Sequence, residues 1–383
     1  MMSNALDAAL SAVIERIKTA ASEGASLRIR GGGSKDFYGQ TPEGEVLDTR
    51  GLNGITSYEP SELVVTVQAG TPLAELEAVL AEKNQCLPFE PPHFSANTKI
   101  TTVGGMVAAG LSGPSRASSG SVKDFVLGVN MVNGKGEVLH FGGTVMKNVA
   151  GYDVSRLMAG SMGTLGLITE VSLKVLPIAP AVATLKFECT QQQAIDRLNA
   201  WGAQPLPLNA SCWVAESGQG SLYLRLRGAV AAVDAAVKKL SSENGGVLQD
   251  AATGNATVAA DWQALRNQNS QHMGFFKLQD DECLWRLSVP DATPDLQLGE
   301  TVVEWHGAQR WVKLPYSEVS RLRNQVNAVG GNAILFVAGE VVNKTNTAVF
   351  NPLKAPLDRI HRKLKQEFDP AGTFNRGRMF TDM

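Results

Sequence analysis

The sequence predicts an α+β protein built from a glycine-laced first domain and a smaller domain of antiparallel sheet and helices. Three observations predict it. The chain has 383 residues, more than one small hydrophobic core organises. Its glycines cluster between short strand-like runs from Gly31 to Gly166. Beyond Pro177 and Pro180 the texture becomes strand, helix, strand, strand, helix, the order of an antiparallel sheet backed by helices. The expected domains are 1–178, 179–348, and a segment 349–383 that returns to the first.

Each element has a local reason. In "NALDAALSAVIERIKTAA", Leu6, Leu10, Val13, Ile14 and Ile17 fall on one helical face. Asp7 and Glu15 interrupt the apolar run that a secretory leader needs. Leu27 and Arg28 begin a short strand that feeds "RGGGSK". "LVVTVQAG" reads as a buried strand. "TPLAELEAVLAEKN" follows as a helix, with Thr71 as N-cap, Pro72 in the first turn and an apolar stripe of Leu73, Leu76, Val79 and Leu80. "FVLGVNMVNGKGEVLHF" is a hairpin turning at Asn133-Gly134. "DVSRLMAG" is a short helix capped by Asp153 and stopped by Gly160. "LITEVSLKVLPI" alternates like a half-buried strand.

In the second domain "ATLKFECT", "ASCWVAES", "SLYLRLRG", "TVVEWHGAQRWVKLP" and "AILFVAGEVV" read as strands. "QQQAIDRLNAWGA", "AVAAVDAAVKKLSSEN" and "SEVSRLRNQVNAVG" read as helices, and no internal repeat is visible. Near the C-terminus Leu357, Ile360, Leu364 and Phe368 share a helix face, with Arg359, Arg362, Lys363 and Lys365 as its solvated side. "DPAGTFNRGRM" is then a glycine-bearing loop with two arginines, suited to clasp an anion.

Composition excludes several classes of partner. Lys+Arg total 35 against Asp+Glu 37, a formal net charge of −2, which argues against nucleic acid or an anionic membrane surface. No run approaches the roughly 18 apolar residues of a membrane span. Cys86, Cys189, Cys212 and Cys283 are scattered, with no C-x-x-C pair. They read as buried free thiols of a cytoplasmic protein with no metal site.

The glycine loops carry the chemistry. Lacking Cβ, glycine lets successive N–H groups converge on an anion. A P-loop needs Gly-Lys-Ser/Thr, but here the order is Gly33-Ser34-Lys35. A dinucleotide-fold G-x-G-x-x-G counted from Gly31 places Asp36 at the third glycine. Both designs fail. What remains is a series of separate loops: "RGGGSK", "TTVGGMVAAGLSGPSRASSGSVKD" and "GSMGTLGLITE".

These loops, in this order, resemble the FAD-binding domain of the vanillyl-alcohol oxidase/p-cresol methylhydroxylase family. The segment Gly151-Tyr152-Asp153, Leu157, Gly160, Gly163-Thr164-Leu165-Gly166, Ile168-Thr169-Glu170 is similar to its D-lactate dehydrogenase and glycolate oxidase branch. The tail "FDPAGTFNRGRM" resembles the C-terminal segment of that branch. The resemblance implies a two-subdomain FAD-binding domain with a cap. In it Gly31, Gly32, Gly33 and Ser34 hold the pyrophosphate, flanked by Arg30 and Lys35. Thr101, Thr102, Gly104 and Gly105 close its other side. Gly113, Ser119, Gly120 and Asp124 line the cofactor's length, Gly166 and Ile168 lie against adenine or ribose, and Asn375 and Arg378 return to the flavin domain.

Two departures sharpen the expectation. Relatives with covalent flavin carry a histidine in the first glycine loop; here Ser34 and Lys35 stand there, so the FAD is expected to be non-covalent. Self-sufficient 2-hydroxy-acid dehydrogenases of this branch carry a histidine-rich "H-x-G-D-G-N-x-H"-like motif in the cap. This chain has only His272, His306 and His361 beyond residue 180, and His306 beside Trp305 reads as a strand residue. Intact cofactor loops with a reduced cap resemble the FAD-binding subunits of bacterial glycolate oxidase (glycolate dehydrogenase) complexes. That implies a homologous catalytic flavoprotein partner, an iron–sulfur partner, a small 2-hydroxy acid such as glycolate as substrate, and contact with the inner membrane face only through partners. Arg116, Lys147 and Tyr152 are candidates near the flavin ring, with no catalytic residue assigned. Two alternatives stay open: a self-sufficient FAD oxidase or dehydrogenase of another alcohol or hydroxy acid, and a non-catalytic flavin-binding partner.

Overall fold

Two large antiparallel sheets, one two-stranded antiparallel pair and one small parallel pair organise the described residues. The computed structural model describes residues 2–94, 98–144, 152–216, 219–249, 256–339, 342 and 348–383. The first sheet is five-stranded, in the spatial order Ile55–Glu59, Val64–Gln68, Leu167–Lys174, Val126–Val132, Val138–Gly142. Every neighbouring pair in it is antiparallel. Helices Leu73–Ala81, Val103–Ala109 and Val154–Met158 bury Leu76, Met106 and Met158 in one apolar cluster with Val65, Val129 and Val171 of the sheet.

The strand Leu167–Lys174 departs from the expected alternation, because only Glu170 and Lys174 escape full burial. It is the central strand, and both its faces are covered. On the polar side Glu170 accepts from Gln68 Nε2, Asn130 Nδ2 and Thr56 Oγ1, each at 2.7 Å. Thr71 also departs from expectation. Pro72 is the N-cap of the helix and offers no side-chain bond. The Thr71 hydroxyl instead ties down the preceding turn, accepting from Gly54 N at 2.9 Å.

The strand Leu27–Arg30 pairs in parallel with Glu45–Asp48. The first helix, Met2–Glu23, covers this pair through Val13, Ile17 and Ala20, which join Leu27, Leu47 and Phe374 in one cluster. The tail enters as a further extended segment, with Leu27 N donating to Thr373 O at 2.7 Å and Asn375 N donating to Leu27 O at 2.9 Å. Phe374 is fully buried there. Phe374→Ala is expected to cost about 3–5 kcal/mol, read as a lower midpoint in urea unfolding. The helix Leu357–Phe368 seats Leu364 and Phe368 against the first core, but Leu357 and Ile360 are exposed. The shared face predicted for all four is therefore used only in its second half.

The second sheet is eight-stranded, in the order Val247–Leu248, Ala181–Glu188, Gln219–Gly228, Leu208–Glu216, Thr301–Glu304, Gln309–Pro315, Glu282–Ser288, Asn332–Val337. It contains a repeat that the sequence conceals. The first half runs strand, helix, strand, strand, helix, strand. The second half repeats that order and reverses it in space, with an irregular connection at 289–300 where the first half has the helix Gln191–Gly202. The halves meet through the pairs Cys212↔Glu304, Trp213↔Val303 and Val214↔Val302. "TVVEWHGAQRWVKLP" forms two strands rather than one. Trp305, His306 and Gly307 turn the chain at φ 52°, 57° and 106°, so His306 sits in a tight turn and not in a strand.

Candidate cofactor site

The site starts from the strand Leu27–Arg30. Alternation places Arg28 and Arg30 on one face of it, and both line a cavity of about 420 Å³. The three glycines then let the loop lie against residues 100–102. A Cβ on Gly31 would stand 2.3 Å from Thr102 Oγ1, and one on Gly32 would stand 2.2 Å from Ile100 O. Ile100 N donates to Gly32 O at 3.1 Å. Gly33 turns at φ +75°.

The cavity brings together Arg30, Gly31, Gly32, Gly33, Ser34, Lys35, Thr102, Gly105, Asn375 and Arg378. A side branch of about 70 Å³ adds Gly104, Gly166 and Ile168. Thr101 stands behind the first wall, its hydroxyl accepting from Lys35 Nζ at 3.1 Å and donating to the His93 carbonyl. The Ser34 hydroxyl lies 2.8 Å from it. Asn375 bolts the tail to both sides, accepting from Ile29 N at 2.8 Å and donating to Met162 O at 2.6 Å.

Gly113, Ser119, Gly120 and Asp124 do not line either space. Gly113 packs against Glu90 O, which a Cβ there would approach to 2.2 Å. Ser119 ends the helix Arg116–Ser119, Gly120 caps it at φ 99°, and Asp124 forms a capping box with Ser121. Arg28, Asp36, Ile100, Ala108 and Met162 line the cavity without having been singled out. For Arg28 the signal was present in the alternation with Arg30.

The lining is electropositive, with Arg28, Arg30, Lys35 and Arg378 set against the single carboxylate of Asp36. Arg30 is committed to Asp36 at 2.7 Å, and that bond raises its pKa. Burial pulls Arg378 down to about 10, while its guanidinium donates to the Gln40 and Lys35 carbonyls, both at 2.9 Å. Burial pulls Lys35 down to about 7. The Nε of Arg28 is buried without a hydrogen-bond partner. Excess cationic charge, an orphaned guanidinium donor and walls built of glycine fit a long anionic ligand such as a dinucleotide.

The second sheet packs against the neighbouring 113–118 loop. Arg116 is half-buried and stacks its guanidinium 4.5 Å from the Trp305 ring, and burial with nearby Arg286 lowers its pKa. Trp305 Nε1 donates to Gly113 O at 3.0 Å, and His306 lies within 3.0 Å of the hydroxyls of Ser118 and Ser211. His306 therefore bridges two parts of the chain, and burial lowers its pKa. Glu304, just before it, is pushed up by burial to about 7 despite donors from Trp311 and Gln309. Tyr152 is 97% exposed, and Lys147 lies outside the described residues. Cys86, Cys189, Cys212 and Cys283 are free thiols. Among the described residues no group of three His, Cys, Asp or Glu could hold a metal ion, and no helix is long and apolar enough to cross a membrane.

The fold and this cavity define a flavoprotein of the FAD-binding oxidoreductase class. An "FAD binding domain" family model matches residues 8–142. Solved structures of alkyldihydroxyacetonephosphate synthase share the fold, one at a TM-score of 0.64 and 16% identity over 94% of this chain and 74% of that one. Along its whole length the chain is 42% identical to glycolate oxidase subunit GlcE of Escherichia coli (strain K12), over 373 residues and 97% of each protein. The chain belongs to the family of that glycolate oxidase subunit. More partial matches are glycolate oxidase subunit GlcD of Bacillus subtilis (strain 168), 35% identical over 45% of this chain and 36% of that protein, and D-lactate dehydrogenase of Anaerostipes hadrus, 34% identical over 37% and 29%.

Proposed function

We propose that the chain is the FAD-carrying subunit of a multi-subunit glycolate oxidase and that its FAD is non-covalent. The observation that carries this reading is the cationic cavity between "RGGGSK" and "TTVGG", in a chain similar to a GlcE subunit along 97% of its length. In this reading the amides of Gly31, Gly32, Gly33 and Ser34 hold the pyrophosphate. Thr101, Thr102, Gly104 and Gly105 form the facing wall, Gly166 and Ile168 bracket the adenosine end, and Asn375 and Arg378 close the site from the tail. Gly113, Ser119, Gly120 and Asp124 shape the loop between cavity and cap.

Bound FAD supplies a hydride acceptor for oxidising a 2-hydroxy acid such as glycolate to its 2-oxo product. The substrate chemistry is assigned mainly to a larger homologous GlcD-type subunit, with an iron–sulfur partner receiving electrons. Support comes from the packing between the sheets. Tyr38 and Trp311 meet Phe336 with ring centroids at 5.3 and 4.9 Å, and Phe37 lies 5.5 Å from it. These rings pack the glycine-loop side of the cavity directly against the second sheet.

The isolated chain is expected to bind FAD, to release it on denaturation, and to oxidise glycolate poorly until co-expressed with its partners. Flavin that stays with the denatured chain overturns non-covalent binding. Robust glycolate turnover by the isolated chain overturns the subunit assignment.

A further inference from the structure

The residue that follows the glycines and Ser34 is a lysine with no acid to pair with. Lys35 Nζ contacts two hydroxyls, Ser34 Oγ at 3.3 Å and Thr101 Oγ1 at 3.1 Å, and lies 5.9 Å from the Phe94 ring centroid. Both hydroxyl residues are buried. Among the described residues no carboxylate forms an ion pair with it. Its neighbour Asp36 is already engaged by Arg30 at 2.7 Å and by Lys99 at 3.9 Å.

The other charges around Lys35 are cationic or spoken for. On the strand before it stand Arg28 and Arg30, and from the tail Arg378 donates to the carbonyl of Lys35 itself. From the loop opposite come Lys99 and His93, whose ring is paired with Glu77 at 2.8 Å. From the second sheet, Arg286 stacks on Tyr38 and Phe336. An ammonium in this half-buried setting has part of its water replaced by two hydroxyls and the Phe94 ring and gains no countercharge. The hydroxyls suit both forms of the amine, each of which has protons to give: Thr101 spends its own proton on the His93 carbonyl and Ser34 spends its own on Thr101 Oγ1, so both oxygens are left to accept from Lys35 Nζ.

We propose that Lys35 makes cofactor binding proton-coupled: as the anionic dinucleotide enters the cavity the chain takes up a proton at Lys35 Nζ, and the ammonium so formed joins the anion-holding wall. The inference rests on the reading that this cavity takes FAD. Desolvation that holds the amine near pH 7 in the free chain is offset by the pyrophosphate's two negative charges in the complex. Because the complex then binds more protons than its separated parts above pH 7, affinity falls as pH rises. Below about pH 6 the amine is already charged and the dependence flattens.

The test is FAD titration of the apo-chain by flavin fluorescence from pH 6 to 9, with proton uptake followed by an indicator dye in weak buffer. The wild type is expected to lose up to about tenfold in affinity per pH unit above 7.5, with uptake approaching one proton per FAD. Lys35→Met should bind weakly, with no slope and no proton uptake. Lys35→Arg keeps a permanent charge and should bind with no slope; it also serves if the methionine variant fails to fold. A flat wild-type profile without uptake, or a Lys35→Met profile that keeps the slope, overturns the proposal. Failure to bind FAD at any pH instead overturns the cofactor assignment, and the proton coupling with it.

Discussion

Glu90→Ala is expected to lower the stability of the chain by about 3–5 kcal/mol, because it strands a buried guanidinium. Glu90 stands on the loop that faces the second sheet, with 15% of its side chain exposed, and Arg225 is 6% exposed. Both carboxylate oxygens accept from Arg225 Nη2 at 2.7 Å, Arg227 adds a contact at 3.3 Å, and Ser115 N donates at 3.1 Å. Arg225 is held from behind by Asn209 at 2.6 Å and by the Trp262 ring at 4.8 Å. It cannot swing out to water when its partner is removed. The double variant Glu90→Leu/Arg225→Met should recover much of the loss, since no charge is left buried.

The same pair gives the fold an acid dependence of definite sign. Burial alone would raise the Glu90 pKa, but Arg225 and Arg227 outweigh it and hold the carboxyl below its ordinary value. The stabilisation is then complete above the ordinary glutamate pKa of about 4.3 and is lost as pH falls through the lower folded value. Urea midpoints measured from pH 7 to pH 3 should show that loss in the wild type and not in Glu90→Gln.

Gly32→Val is expected to weaken FAD binding by a hundredfold or more, about 2.8 kcal/mol, with the second sheet still folded. The Cβ would meet Ile100 O at 2.2 Å and Ile100 Cγ1 at 2.3 Å, so the two walls of the cavity must part. Backbone cannot yield there as a flexible side chain would. Gly202→Ala is the control, since nothing lies within 4 Å of its added Cβ, and it should leave FAD affinity unchanged. A fluorescence titration paired with a thermal melt separates lost binding from lost fold.

What could be read in advance was what local stereochemistry dictates. Glycine at 31–33 has one cheap use, close approach of backbone, and the structure spends it on Ile100 and Thr102. Caps were legible where the cap is the side chain's best option, as at Asp153, which accepts from Arg156 N. Thr71 was misplaced because a hydroxyl beside a helix start can serve either the helix or the turn before it, and only the position of Gly54 decides. The glycine at 120 and the acid at 124 carry turn and capping duties that give the same sequence pattern as a cofactor wall. The order of the eight-stranded sheet was out of reach, since long-range pairing is chosen by the whole sequence at once. Its hidden repeat escaped because one copy lacks the helix that would mark it. The unpaired charge of Lys35 was equally invisible: a lysine in a glycine loop looks solvated until Phe94, Thr101 and His93 are packed around it.

The seam of that sheet has a consequence for how signals cross the molecule. Eight residue pairs join Ala181–Glu188 to its neighbour, whereas three join the two halves. The cap is thus two leaves on a short spine. One leaf holds Arg225 and grips Glu90; the other holds Trp305 and His306 and grips the 113–118 loop. A disturbance in one leaf reaches the other through three rungs, through the few side-chain ties beside them, such as Thr301 Oγ1 to Gln191 Oε1 at 2.6 Å and His306 N to Ser211 Oγ at 2.9 Å, or through the flavin domain that both of them hold.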